Sequence, residues 1–383
     1  MKRRVTIITE IISPYRIPLF NALAKSPVVD LHVIFLAETD PQLRQWHVYK
    51  NEIAFAYEVL PSFRKRIGKL NLLLNRGLIS ALQRAAPHAI VCGGYNYLAS
   101  WRALRWARTH RVPFLLWSES NLHDLRGAHR FVDFLKKRFL RQCSGFVVPG
   151  LAAREYLRAQ GVSNHAIFEA PNAVDNVFFA TAAGEARHSP EAMRSSLDLP
   201  ERYFLFAGRL VREKGVFDLL AAYAELEEAL RHRIGLVLAG DGQIRLPLEE
   251  RARLISPGNI KFAGFAHREQ LPAYYGLAEA LILPTYTDTW GLVVNEAMAC
   301  GLPVIVSRAA GCVADLVEDG VNGLLIPPKD TSSLVAAMRK LAGDHGLRTA
   351  MGANSFKRIA HYSPQAWADG IVSAVAEAGV ERG

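Results

Sequence analysis

Residues 284–306 read PTYTDTWGLVVNEAMACGLPVIV, and their order decides the fold. An apolar run, ALILP at 280–284, gives way to a polar loop. Gly291 then permits an unusual backbone, LVVNEAMAC has the composition of one helix, Gly301 closes it, and PVIVS at 303–307 starts a second apolar run. Strand, loop, helix and strand in so short a span make a βαβ unit, the building block of parallel sheets. The amides at Gly291–Val293 would point at whatever lies before the helix and favour an anion. Asp288 falls in the loop and Glu296 about one turn into the helix. Asn295 and Glu296 are flanked by Val293, Val294, Ala297, Met298 and Ala299. Two polar side chains in such company need partners, and a ligand's hydroxyls are suited to the task.

The pattern repeats outward. YFLFA at 203–207, GLVLA at 235–239, IKFA at 260–263 and GLLI at 323–326 read as further strands of the second half. The turn after the first of these, AGRLVREKGVFDLL at 207–220, sets Gly208 just beyond a strand, Arg209 next, and Lys214-Gly215 before a helix. Ligands of open parallel sheets sit beyond the carboxyl ends of strands, and two cations there suit a diphosphate, Arg209 as a fork and Lys214 as a point charge. A pair of solvated surface cations is the competing account of that spacing.

The first half alternates in the same way, with strands at 5–9, 31–36, 89–92, 113–117 and 146–148. Helical patterns fall at 18–25, 77–86, 98–109, 132–142 and 152–160. The expectation is an α/β protein of two Rossmann-like parallel-sheet domains facing across a cleft: residues 1–175, residues 176–360, and a C-terminal segment, 361–383, returning towards the first. The junction lies in the polar stretch 175–200, and Ser363-Pro364 opens the last helix, 365–378. The first loop, EIISPYRIPLFNAL, lacks GxGxxG, which argues against a dinucleotide there.

Length alone, 383 residues, favours two domains. The charge is uneven: residues 1–175 hold 25 basic and 12 acidic residues, a net of +13, and residues 176–383 hold 21 and 24, a net of −3. One domain is therefore expected to face an anionic partner. SFRKRIGKLNLLLNRG at 62–77 interleaves Arg64, Lys65, Arg66, Lys69 and Arg76 with Phe63, Ile67, Leu70 and Leu72–Leu74, and reads as an amphipathic membrane-surface segment. Lys136-Lys137-Arg138 through Arg141 reads as the solvent face of a helix. The stacking aromatics and motifs of nucleic-acid binders are missing, so no nucleic-acid partner is expected. Four cysteines without CxxC spacing and twelve histidines without an HxxxH pair predict no structural metal. No apolar run reaches the length of a membrane span, and Glu10 interrupts the apolar start, so a cytoplasmic chain is expected, peripheral at the inner face of the membrane.

Taken together, Gly208-Arg209-Leu210 with Lys214-Gly215, Asp288-x7-Glu296 within DTWGLVVNEAMACGLPVIVS, and Asn322-Gly323-Leu324 within DGVNGLLIPPKD resemble the retaining glycosyltransferases of family four with the GT-B fold, of the bacterial cell-surface polysaccharide type. APNAVD at 170–175 resembles that family's P-N-G-V-D signature between domains, and FAGF at 262–265 matches in order and spacing. The resemblance implies a sugar transfer from a nucleotide-diphosphate donor to a lipid-linked or polysaccharide-precursor acceptor, without metal or other cofactor. Arg209 and Lys214 would bind the diphosphate with Gly208 and the backbone at Trp290, Gly291, Leu292 and Val293. Glu296 would bond the ribose hydroxyls, Asp288 would face the transferred sugar, and the loop at Phe265 would hold the base. No DxD triplet occurs, in keeping with metal independence. The family's motif usually begins with Glu, and Asp288 reaches about 1.5 Å less far, which puts the donor sugar in doubt. The first half matches more loosely. Tyr15 and Arg16 in the first loop, and Glu119 and His123 in WSESNLHD, are the acceptor-side candidates, with packing for Tyr15, a loop-closing role for Glu119 and solvation for His123 as the alternatives. A nucleotide-sugar epimerase, a phosphorylase, or a binding module without catalysis would share the fold.

Overall fold

A computed structural model of the chain describes residues 2–40, 46–67, 70–122, 130–256 and 258–378. His123 and Lys69 lie outside the described residues. The chain divides into two compact units, Met1–Val174 with Ser363–Gly383, and Asp175–Tyr362.

In the first unit, strands β1 (Arg3–Thr9), β2 (Val29–Phe35) and β3 (Ala56–Val59) precede a hairpin of β4 (Ser62–Ile67) and β5 (Leu70–Asn75). Then come β6 (Ala89–Gly93), β7 (Phe114–Trp117), β8 (Gly145–Val148) and β9 (Ile167–Glu169). All but the hairpin form one parallel sheet in the order β3-β2-β1-β6-β7-β8-β9. Side-chain alternation along each strand feeds two cores. Ile90, Cys92, Phe114 and Leu116 pack under the helices Leu78–Ala85, Leu98–Thr109, Arg130–Leu140 and Leu151–Ala159. Ala89, Val91, Leu115 and Trp117 face the helices Ile17–Ala24 and Pro364–Ala378. On that second face Trp367 is fully buried, 5.6 Å from the Phe20 ring and 5.3 Å from Trp117, which fixes the C-terminal helix to this unit. Ser363 starts that helix, its Oγ accepting from the Ala366 amide.

The second unit holds β10 (Tyr203–Ala207), β11 (Gly235–Ala239), β12 (Ile260–Gly264), β13 (Ala280–Leu283), β14 (Val304–Ser307) and β15 (Gly323–Ile326), in the parallel order β12-β11-β10-β13-β14-β15. Asp175 caps the first helix of this unit, Asn176–His188, by accepting from the Phe178 amide. In both sheets the chain starts in the middle, winds to one edge and returns to the other side of its first strand. The order therefore reverses between β1 and β6, and between β10 and β13. Loops leaving the carboxyl ends of strands at such a reversal diverge and leave a crevice.

The basic segment at 62–77 is the main departure from the sequence reading. It folds as an antiparallel hairpin with Phe63 opposite Leu74 and Arg64 opposite Leu73. Arg64 turns inward, its Nη1 2.8 Å from Glu10 and 2.7 Å from Asp40, so it is not part of a basic outer face. Phe63, Lys65 and Leu74 remain exposed. Lys136 is also withdrawn from solvent: its Nζ donates to Tyr156 Oη at 3.2 Å and pairs with Asp133 at 3.5 Å.

Candidate functional site

The crevice of the second unit is made by the loops after β10, β11 and β13. Backbone bonds hold the first two together, Gly208 N donating to Ala239 O and Leu210 N to Asp241 O, while Gly240 N donates to Gly264 O at the end of β12. Gly240 has a φ of 154°, and a Cβ on it would lie 1.8 Å from the Gly208 carbonyl oxygen. Only glycine permits that approach. The Gly240-Asp241-Gly242 turn was not picked out from the sequence, although a Gly-x-Gly directly beyond the apolar run GLVLA was there to be read.

The loop after β10 is bound as tightly to the loop after β13. Tyr286 N and Thr285 Oγ1 both donate to the Glu213 carbonyl. Gly215 has a φ of 68°, and a Cβ there would sit 2.1 Å from the Pro284 carbonyl oxygen. This contact delivers Lys214, whose Nζ donates to Asp288 Oδ2. Asp288 is held from its other side, its carbonyl accepting from the Gly311 amide, and Trp290 O accepts from Cys312 N. Arg209, by contrast, is exposed, and its guanidinium makes no hydrogen bond or ion pair among the described residues.

Gly291, with a φ of 98°, turns the chain into the helix Leu292–Ala299. The first amides of this helix, at Leu292 and Val293, have no intrahelical acceptor. Trp290 contributes only backbone here, because its indole is buried and donates to Asn295 Oδ1 at 2.8 Å. That bond also answers what Asn295 does on an apolar helix. Glu296 is buried too, at 1% exposure. Its Oε2 accepts from the Tyr275 hydroxyl at 2.6 Å, while Oε1 has no partner among the described residues. Burial raises its carboxyl from 4.5 to about 7, and the Tyr275 bond opposes that shift without cancelling it. Phe265, just past β12, is 36% exposed and stacks edge-on with His267 at 5.1 Å. Asn322 serves the fold: its amide group bonds Leu316 O and Glu318 N and shapes the turn into β15.

In the first unit the acceptor-side candidates form two groups. Arg16 pairs with Glu119, and its Nη1 donates to the buried Asn172 at 3.2 Å. The guanidinium lies 4.0 Å over the Trp117 ring. Arg16 follows β1, Glu119 follows β7 and Asn172 follows β9, so three carboxyl-end loops converge on one cation. Tyr15 packs edge-on against Trp46 at 5.9 Å. Among the described residues no three His, Cys, Asp or Glu side chains gather in metal-ligating geometry, and no helix is long and apolar enough to cross a membrane.

The model of the family "Glycosyl transferase 4-like domain" matches residues 19–173, and that of "Glycosyl transferases group 1" matches residues 190–358. An uncharacterised glycosyltransferase of Methanocaldococcus jannaschii is 32% identical over 168 residues, 44% of this chain and 42% of that protein. D-inositol 3-phosphate glycosyltransferase of Salinispora arenicola is 30% identical over 217 residues, 54% of this chain and 48% of the relative. The chain thus spans about half the length of the curated relatives it matches. The crystal structure of Anabaena HepE in complex with UDP superposes with a TM-score of 0.76 at 17% identity, covering 98% of this chain and 100% of that one. With each unit matched by its own family model and the whole described fold by a solved structure, the chain belongs to the glycosyltransferases of family four with the GT-B fold.

Proposed function

We propose that the protein transfers a sugar, with retention of anomeric configuration and without a metal, from a nucleoside-diphosphate donor to an acceptor held by the first unit. The observation that carries this reading is Lys214 and Arg209 at the carboxyl end of β10, beside the loop that leads into the helix start at Leu292. When the sugar leaves, negative charge builds on the diphosphate. Arg209, Lys214 and the amides of Gly291, Leu292 and Val293 oppose that charge. Two cations and a helix terminus supply what a divalent ion would, which is why a metal-independent reaction is proposed.

Asp288 accepts from Lys214 Nζ. An incoming diphosphate competes for that cation, and the carboxylate that gives it up accepts from hydroxyls of the donor sugar. Glu296 offers Oε1, the oxygen that Tyr275 leaves unbonded, to the ribose. Its burial means that the ribose reaches it only when the loop ahead of the helix yields. Phe265 and the backbone beside it receive the base. The HepE structure holds UDP, and uridine is accordingly the first base to test.

Arg16 with Glu119 is assigned to the acceptor. The net charge of +13 in residues 1–175 favours an acceptor bearing phosphate, such as a lipid-linked or polysaccharide-precursor sugar, met at the inner face of the cytoplasmic membrane. The test is nucleotide release from UDP-sugars, and then from other nucleotide sugars, with and without phosphorylated acceptors. Release that requires the acceptor supports the transferase. Release of a free or epimerised sugar without acceptor refutes it.

A further inference from the structure

We infer that the groove between the helices Leu98–Thr109 and Arg130–Leu140 binds a phosphate-bearing anion. The first helix carries Arg102, Arg105 and Arg108 at every third position and contains no acidic residue. Residues three apart share a helix face, so the three guanidinium groups form one stripe. Arg138 closes the stripe from the facing helix, and the four surround a volume of about 580 Å³ with Trp101 and Leu104 among its walls. Among the described residues no carboxylate lines this groove. Asp133, on the facing helix, is taken by Lys136.

Like charges at such spacing destabilise a helix, and four around one volume leave a positive potential that nothing described in the chain neutralises. Two of the four are fixed by neutral acceptors, Arg102 by the Asn75 carbonyl at 3.3 Å and Arg108 by Gln142 Oε1. Arg105 and Arg138 make no hydrogen bond or ion pair of their guanidinium groups among the described residues. The walls are rigid: Trp101 stacks edge-on with Phe139 at 4.9 Å and donates to the Tyr95 carbonyl at 3.2 Å. Guanidinium forks match phosphate oxygens in pairs, and the groove is large enough to take a phosphate group.

The helix Leu98–Thr109 starts at the carboxyl edge of the sheet and runs back towards the amino edge, placing Arg105 and Arg108 on the flank. The groove is therefore separate from the Arg16 cluster and does not rest on the transferase reading. Phosphate could come from the headgroup of an anionic phospholipid or from a soluble diphosphate.

The experiment uses the full chain and the variant Arg105→Glu with Arg138→Glu, chosen because neither guanidinium bonds another of the described residues. Binding of inorganic pyrophosphate is measured by calorimetry, and flotation with vesicles of phosphatidylcholine is compared with and without phosphatidylglycerol. Only binding that depends on Arg105 and Arg138 counts, since a diphosphate also has Lys214 available. The expected result is a loss of about tenfold or more in the double variant, with its melting temperature no lower than that of wild type. Dependence seen only with phosphatidylglycerol vesicles assigns the groove to lipid headgroups, and dependence seen with pyrophosphate assigns it to a soluble anion. Should the double variant melt early, Arg138→Gln alone replaces it, with a smaller loss expected. Equal binding by wild type and variant, or binding by neither, overturns the inference.

Discussion

Lys214 and Asp288 stand 74 residues apart and share a hydrogen-bonded ion pair, with side chains 16% and 15% exposed. The pair joins the loop after β10 to the loop after β13, the two strands between which the sheet reverses. In the proposed reaction the diphosphate and Asp288 compete for one ammonium group. Asp288→Asn should then bind UDP more tightly than wild type, by up to about fivefold, while turnover falls. Calorimetry on UDP and a steady-state assay on the donor separate the two effects, and weaker UDP binding by Asp288→Asn contradicts the competition.

Lys214→Ala removes the cation itself. Loss of one fixed charge at a developing anion lowers turnover by about a hundredfold to a thousandfold. Because the side chain is only partly buried, the folded state should persist, checked by circular dichroism. Unchanged turnover would place the diphosphate elsewhere.

Gly215 and Gly208 should respond differently to alanine. At Gly215 a Cβ meets the Pro284 carbonyl at 2.1 Å, backbone against backbone, and the φ of 68° adds strain. Gly208 has a φ of 143°, but its Cβ would meet nothing nearer than the Phe206 ring at 3.7 Å. Gly215→Ala should cost a few kcal/mol and displace Lys214, and Gly208→Ala should cost less. Melting temperatures of the two variants decide, and equal losses would mean that the Pro284 contact is easily relieved.

Much of this site was legible because each loop follows an apolar run at once. Arg209 and Lys214 could be placed from YFLFA, and Asp288 from ALILP, without knowing the sheet order. Strands β3 and β9 were not legible: four and three residues long at the two edges of the sheet, they are only partly buried and carry no apolar run. The hairpin was misread because LNLLLN hides its alternation in a leucine run, whereas pairing sends Arg64 inward to Glu10 and Asp40. Glu296 shows the same limit within one helix. Its place on an apolar helix said that it needed a partner, but Tyr275, 21 residues upstream, is brought to it only by packing.

The Arg16–Glu119 pair predicts a split between the two substrates. Arg16→Lys keeps the charge but loses the fork that spans Glu119 and Asn172 and the flat face over Trp117. The KM for the acceptor should rise about tenfold, with the thermal shift produced by UDP unchanged. A rise in donor KM alone would remove Arg16 from the acceptor side.

Glu296 gives a prediction in pH. Its folded carboxyl titrates at about 7, against 4.5 for the exposed group, because burial disfavours the charged form. The folded state therefore holds its proton more tightly than the unfolded chain. This contribution to stability is complete below about pH 4.5 and is lost progressively as pH rises to about 7. Glu296→Gln keeps the shape and cannot ionise, so the variant should gain on wild type across that window. The difference should be on the order of 3 kcal/mol at pH 8, with the two proteins close at pH 4.5. Tyr275→Phe removes the hydroxyl that donates to the carboxylate and should push the Glu296 titration higher still, sharpening the loss for the otherwise native chain. Urea denaturation of the three proteins from pH 4.5 to pH 8 checks both, and a stability difference that does not change with pH would mean that Glu296 stays charged, with its Oε1 reached by solvent.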